Sequence, residues 1–413
     1  MDQQYLIPYP TGLLIATCYK FQSLAAVIFE GIIAAVFIVY LILILGLALE
    51  GHTYQPRISF FKTQNTLLNP LPLTVIVNYR NEEDHLPRLL HSIESLRYDM
   101  RLVEFLFVDD GSDDGSTKLL EAFKNNNKHL DVNLLQRVAR SASAKKDGIT
   151  QAVATSSYDH ILCTDADCLL PPYWLQRYAD FYLEHGSSHL VAGPVIIKTD
   201  GSLNGQLQSN EMLALQLVTM GSFNLRKAFM CNGANMSFTK AAFEQVGGYD
   251  GNDHISSGDD VFLLEKLLEL DVECCHFLKN PEAIVTTYPK HGWSEMIQQR
   301  VRWSKKATST KSLLNKVLSF QVLAASLSFI LLPLLFLLKM IALDVIILCY
   351  GLKLLTDFLT LFLANRFFEQ DKLLKYFLLS YTTYPFLVLA IAFKGITGST
   401  SWQGRAINHL PMG

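Results

Sequence analysis

Four long apolar stretches fix the outline of this chain before any other feature is read. Residues 24–49 carry one charge, Glu30, and none falls between Gly31 and Leu49, enough for one bilayer crossing at about 20 residues per span. Three more apolar runs follow at residues 317–338, about 341–364 and about 376–393. Only 18% of the residues are charged, below the roughly 25% usual in soluble domains, and the shortfall lies in these runs. The outline is an N-terminal segment (1–23), a transmembrane helix (24–50), an aqueous α/β domain ending in an interfacial segment (51–311), about three transmembrane helices (312–395) and a tail (396–413).

The first run starts late, is long and lacks a small-residue cleavage site, so it reads as a retained anchor and not a signal peptide. Arg57 and Lys62 follow it, while Arg300, Arg302, Lys305, Lys306, Lys311 and Lys316 crowd before the second run and only Lys20 closely precedes the first. Basic residues favour the cytoplasmic side. The N-terminus is therefore expected outside and the aqueous domain in the cytoplasm, at a bacterial inner or plasma membrane. Four spans would put Lys394 and Arg405 outside, against that trend, so the expectation is a count off by one or a last run that does not fully cross. Seven cysteines show no zinc-like spacing. Cys163, Cys168, Cys231, Cys274 and Cys275 fall in the aqueous domain, and their odd, irregular set points to reduced thiols, as on a cytoplasmic face. The net charge of −3 argues against general nucleic-acid binding.

Within the domain, strand and helix patterns alternate after an irregular linker over 52–70. Leu73–Val77 reads as a buried strand, and Leu86, Leu89, Leu90, Ile93 and Leu96 recur at helical spacing. Phe105–Val108 and Val132–Leu135 are further strands, with helices over Thr117–Asn125 and Ala144–Thr155, and His160–Thr164 is a fourth strand. Such alternation implies a mostly parallel sheet with helices on both faces, whose ligands sit beyond the carboxyl ends of the strands. Asn78-Tyr79-Arg80-Asn81-Glu82, Asp109-Asp110 and Asp165-Ala166-Asp167 all fall at those ends.

Each cluster has a plain reading beside a chemical one. Asp165 and Asp167 suit a solvated turn, or oxygen ligation of a hard divalent cation. Asp109 and Asp110 suit an acidic turn, or acceptance of a bond from a uracil imide or ribose hydroxyl, with Arg80 placed to counter a phosphate. Met230–Phe238, holding Gly233 and Asn235, suits a tight turn, or a backbone surface that a second substrate can approach closely. Ser256-Ser257-Gly258-Asp259-Asp260 opens a helix, where aspartate is often a cap, yet a carboxylate there can also act as a general base. Gln299-Arg300-Val301-Arg302-Trp303 suits a membrane-flanking basic stretch, or a guanidinium gripping a diphosphate beside a stacking ring. Lys353 and Asp357, four apart in an apolar run, suit a transporter site or, as preferred here, a local ion pair.

The order of these motifs resembles the family 2 membrane glycosyltransferases, which include cellulose, chitin and hyaluronan synthases and ceramide glucosyltransferase. Val75–Glu83, Val108–Ser112, Thr164–Asp167, Gly258–Asp260 and Gln299–Trp303 carry the resemblance, over about residues 73–303. It implies a GT-A-like fold and a metal-dependent, inverting hexosyl- or N-acetylhexosaminyltransferase that uses Mg2+ or Mn2+. By the resemblance, Asn78, Arg80, Glu82, Asp109, Asp110, Asp165, Gln299, Arg302 and Trp303 bind the nucleotide-sugar donor, with Asp110 on the base. Asp165 and Asp167 hold the metal, Asp260 with Asp259 supplies the base catalyst, and Gly233, Asn235 and Trp303 face the acceptor. The family's Gly-Lys pair is displaced here, which leaves open whether Arg140, Lys145 or Lys146 approaches phosphate.

About four spans are lean for a polymer channel, so a lipid or lipid-linked glycan acceptor at the cytoplasmic membrane face is expected, with a processive polysaccharide synthase as the alternative. A nucleotidyltransferase of related fold is more remote, because attack at the α-phosphorus has no need of Gln299–Trp303. An inactive membrane-tethered subunit fits poorly with the complete acidic set.

Overall fold

The computed structural model describes residues 11–55, 70–252, 255, 257–370, 376–397, 400–402 and 405–407. The linker positions Arg57 and Lys62 lie outside the described residues, as does Ser256. The first helix, α1 (Thr11–Thr53), runs past both expected limits of 24–50. Pro10 and Pro56 bracket it and no proline lies between, so nothing in the backbone stops it sooner.

The aqueous domain follows as β1 (Leu73–Tyr79), α2 (Leu86–Glu94), β2 (Val103–Asp109), α3 (Ser116–Asn126), β3 (Asp131–Gln136), α4 (Ala144–Thr155), β4 (His160–Asp165) and α5 (Trp174–Glu184). Next come β5 (Leu190–Ala192), β6 (Val195–Ile197), α6 (Leu203–Asn224), β7 (Met236–Thr239), α7 (Lys240–Gln245), α8 (Asp259–Leu270), β8 (Cys275–Phe277), β9 (Val285–Thr287) and α9 (Trp293–Ser309). A seven-stranded sheet has the order β3-β2-β1-β4-β7-β5-β8, in which β7 alone runs antiparallel to its neighbours. Alternate residues of β1 supply two cores. Val75 and Val77 pack with Leu89, Phe105 and Trp174, and Ile76 packs with Leu106, Ile149 and Leu263. Both faces are covered, as the continuous apolar strands require.

The strand order turns back on itself at β1, with β2 on one side and β4 on the other. That reversal opens a crevice at the carboxyl ends. Register makes Asn78 the partner of Asp165 and Tyr79 the partner of Asp109. The sheet thus brings the first three motifs to one edge.

Among the described residues four helical segments are long and apolar enough to cross a membrane: Ala26–Thr53 of α1, then α10 (Leu313–Leu337), α11 (Leu343–Phe368) and α12 (Phe377–Thr397). Two short strands, β10 (Thr400–Trp402) and β11 (Arg405–Ile407), close the chain as an antiparallel pair. Lys353 and Asp357 of α11 do pair with each other, and Tyr40 of α1 donates to Asp357 at 2.8 Å. The intramembrane charges therefore tie two helices together. Cys163, Cys168, Cys231, Cys274, Cys275 and Cys349 are buried free thiols.

The helix α6, for which the local sequence gave no expectation, joins the domain to α1. A Cβ at Gly221 would lie 1.9 Å from the Leu47 carbonyl oxygen, and one at Gly51 would lie 2.0 Å from that of Leu217. Two glycines therefore let two helix backbones touch. Lys279 secures the same corner, its Nζ donating to the carbonyls of Gly51, His52 and Tyr54 at 2.9, 2.6 and 3.0 Å. Gly51 and His52 stand in the last turn of α1, whose carbonyls a helix end leaves without partners. Gly221→Val is expected to cost about 1–3 kcal/mol through overpacking and to lower the unfolding temperature in detergent. Gly31→Ala, where a Cβ meets nothing within 4 Å, should not lower that temperature.

Candidate active site

Lys145, in the first turn of α4, points into the crevice. Its Nζ lies 2.7 Å from Asp165 Oδ1 and 3.2 Å from Asp259 Oδ2. One ammonium thereby joins the end of β4 to the start of α8, motifs almost a hundred residues apart in sequence. Burial works against its charge, but Asp165 and Asp259 outweigh that and hold its pKa well above the ordinary lysine value.

The rest of the crevice closes around this contact. Gly233 donates its N–H to Asp260 Oδ2 at 3.2 Å. A Cβ on Gly233 would stand 2.8 Å from Asp259 Oδ2 and 3.1 Å from Lys145 Nζ, so glycine there leaves room for the ion pair. Gly258 takes the left-handed region (φ 84°) and turns the chain into α8. Asp259 and Asp260 occupy the first turn of α8 and are buried, where the helix N-terminus favours anions. On the other side of β4, Asn78 lies against Gly148 of α4, at which a Cβ would come within 2.0 Å of Asn78 Oδ1.

The acidic turn after β2 divides its work. Asp109 Oδ1 accepts from the Ser112 N–H and hydroxyl at 2.8 and 2.7 Å, so its carboxylate shapes the turn. Asp110 is gripped by two guanidiniums, Arg137 Nε at 2.5 Å and Arg80 Nη1 at 3.6 Å. Arg137 also bonds Asp147 at 2.8 Å. Burial opposes the charge of Asp147, but the N–H groups of Arg140 and Ser141, together with Arg137, hold its carboxyl below the usual range. Arg80, expected to counter phosphate, here also donates to the Asp110 carbonyl at 3.1 Å.

Of the three basic candidates on this segment, the structure directs Lys145 to the crevice. Lys146 is buried, donates to the carbonyls of Asn252 and Ile255 at 2.6 and 2.9 Å and lies over the Phe262 ring. It braces the loop before α8. Arg140 is exposed.

Asn235 is not open to a second substrate as the sequence suggested. Its Oδ1 accepts from Trp174 Nε1 and the Tyr178 hydroxyl at 2.8 and 2.9 Å, and its Nδ2 donates to the Pro194 and Ala283 carbonyls, both at 2.8 Å. That exhausts an amide's four bonds, so the residue pins the 232–236 loop. Gln299 and Trp303 stand on α9 about the buried Arg300, whose guanidinium bonds Gln299, pairs with Glu211 at 2.8 Å and lies 4.5 Å over the Trp303 ring. Arg302 is half-buried, and burial lowers its pKa.

Asp165 and Asp167 are partly open, with 38% and 26% of their side chains exposed. Among the described residues no group of three or more His, Cys, Asp or Glu side chains is arranged to hold a metal. Mg2+, however, is commonly held by one or two carboxylates completed by substrate phosphates and water. Burial, and next the negative charge of Asp167, raise the pKa of Glu82 above its ordinary 4.5. This edge of the crevice carries surplus negative charge, and its hard oxygen donors fit such a cation.

Two residues that the sequence reading missed belong here. Arg137 follows β3 directly and could have been found by the same strand-end rule. Lys290, 3.7 Å from Asp167 Oδ2, sits in an irregular loop with no local signal.

The Glycosyl transferase family 2 model matches residues 74–247, which hold the strand-end motifs and Gly233 but stop short of Asp260 and Arg302. A poly-beta-1,6-N-acetyl-D-glucosamine synthase of Staphylococcus aureus is 26% identical over 260 residues, 61% of this chain and 59% of that protein. The Staphylococcus epidermidis protein of the same name is 27% identical over 230 residues, 54% of this chain and 52% of its own. The chain thus spans little more than half of the curated relatives it matches. A mannosyltransferase from Pyrobaculum calidifontis, solved with GDP-Man and Mn2+, superposes over 88% of this chain and 99% of its own with TM-score 0.54 at 15% identity, a likeness of fold.

Two outcomes test this geometry. Asn235→Ala orphans the buried Trp174 and Tyr178 donors and should cost about 3 kcal/mol or more in unfolding free energy. Between pH 4.5 and its raised pKa, Glu82 holds more protons folded than unfolded, so stability falls as pH rises through that window. Glu82→Gln should remove this fall, seen as an unfolding-temperature gain over wild type that grows with pH and then levels. By the order of its motifs, its matched family and its fold, this chain resembles the family 2 glycosyltransferases and has a GT-A-like α/β domain between membrane-type helices.

Proposed function

We propose that the chain is a membrane-bound, inverting glycosyltransferase that moves a hexosyl or N-acetylhexosaminyl group from a nucleoside-diphosphate sugar to a hydroxyl of a lipid or glycan at the cytoplasmic membrane face. The observation that carries this reading is Lys145 lying between Asp165 and Asp259, which gathers the donor-type and base-type carboxylates into one crevice at the sheet's switch point. The domain limits we propose are 24–50 for the first transmembrane helix, 51–311 for the aqueous domain and 312–395 for the later transmembrane helices.

The chemistry follows from charge. A departing nucleoside diphosphate gathers negative charge on its β-phosphate oxygen. Asp165 and Asp167 would hold Mg2+ or Mn2+, which when bound supplies a Lewis acid for that charge. Arg302 on α9 is the guanidinium we assign to the diphosphate. Asp110, clamped by Arg80 and Arg137, presents a fixed carboxylate to the nucleoside. Asp260, oriented by the Gly233 N–H, takes the proton of the attacking hydroxyl. Attack from the face opposite the leaving group inverts the anomeric centre in one displacement.

A second reading, a processive polysaccharide synthase, is supported by the names of the staphylococcal relatives. Nucleoside-diphosphate release by the purified chain, over a panel of UDP- and GDP-sugars with and without membrane lipid, tests both. A single-sugar product that needs added lipid supports the first, and a polymer without added lipid supports the second. Release of pyrophosphate would sink both. Asp260→Asn should lower kcat by at least about 10²-fold, and unchanged turnover would remove the base assignment.

A further inference from the structure

We infer that Lys290 is a donor-binding residue that contacts the diphosphate directly. The inference rests on the nucleoside-diphosphate-sugar reading above and adds a cation outside its motifs. Lys290 Nζ stands 3.7 Å from Asp167 Oδ2 with 36% of the side chain exposed. That distance is an ion pair but too long for a hydrogen bond, and among the described residues the ammonium donates no hydrogen bond. All three of its donors remain for an incoming anion. Three other cations of the crevice are engaged: Lys145 between Asp165 and Asp259, Arg137 on Asp110 and Asp147, Arg80 on Asp110.

The backbone of this half-buried lysine is held by two side-chain amides. Gln208 of α6 accepts from its N–H at 3.0 Å and donates to its carbonyl at 2.8 Å, and Asn204 donates to the same carbonyl at 2.8 Å and to that of His291 at 3.0 Å. Both amides are buried, Gln208 at 1% exposure. Two buried side chains thus fix the peptide of one loop residue whose own side chain reaches solvent beside Asp167. Gln208 also lies 3.5 Å from the Arg300 guanidinium that holds Gln299 and Trp303. The platform therefore ties the position of Lys290 to that of α9.

An ammonium held there faces whatever anion Asp165 and Asp167 help to bind. A diphosphate meets it with paired oxygens. A lone sugar hydroxyl brings no charge to the ammonium.

The test is equilibrium binding of UDP and GDP to the full-length protein in detergent, with EDTA in one arm and Mn2+ in the other, for wild type, Lys290→Met and Lys290→Arg. Lys290→Met should weaken the nucleotide that wild type binds by about tenfold in both arms, and Lys290→Arg should stay within about threefold. Equal affinity of wild type and Lys290→Met overturns the assignment while leaving the glycosyltransferase reading intact. If wild type binds neither nucleotide in either arm, that reading falls and this inference with it.

Discussion

The ammonium of Lys145 between two carboxylates is the contact on which the arrangement of the site depends. Asp165 ends a parallel strand and Asp259 begins a helix, so neither element by itself faces the other. Two carboxylates in one crevice repel, and a cation between them converts that repulsion into attraction. Much around it serves this placement. Gly233 lacks the side chain that would displace the pair, Gly258 supplies the turn into α8, and Lys146 braces the preceding loop from beneath.

A second constraint acts at the membrane side. The glycine contact between α1 and α6 fixes a domain helix against a membrane-type helix at backbone distance. From α6, Gln208 reaches Lys290 and Glu211 reaches Arg300, so one helix sets both the loop beside Asp167 and the helix that bears Gln299 and Trp303. The amides and acid of α6 are buried or nearly so and hydrogen-bonded to named partners, which makes the helix a rigid ruler. A shift of α1 would be felt both at the loop beside Asp167 and at α9.

Much of this was legible before any coordinates. Continuous apolar strands separated by helical repeats announced a parallel sheet, and each strand of the first half appears within two or three residues of its expected limits. The acidic motifs at strand ends were found because a parallel sheet sends its carboxyl ends to one edge. What escaped was everything held by contacts distant in sequence. Asn235 looked like a polar residue open to a second substrate and is saturated by four buried partners. Lys290 carried no expectation from sequence and lies at Asp167 through two amides of a helix more than eighty residues earlier.

The sequence alone determined the alternation of membrane-type and aqueous segments, the strand-helix order and the chemical types gathered at the strand ends, because periodicity and composition are local properties. Only the tertiary structure decided which lysine enters the crevice, which polar residues are used up by the scaffold, and that α6 couples the site to the membrane helices. Those outcomes depend on close packing and on which hydrogen-bond partners remain once the chain is folded, and no local pattern encodes them.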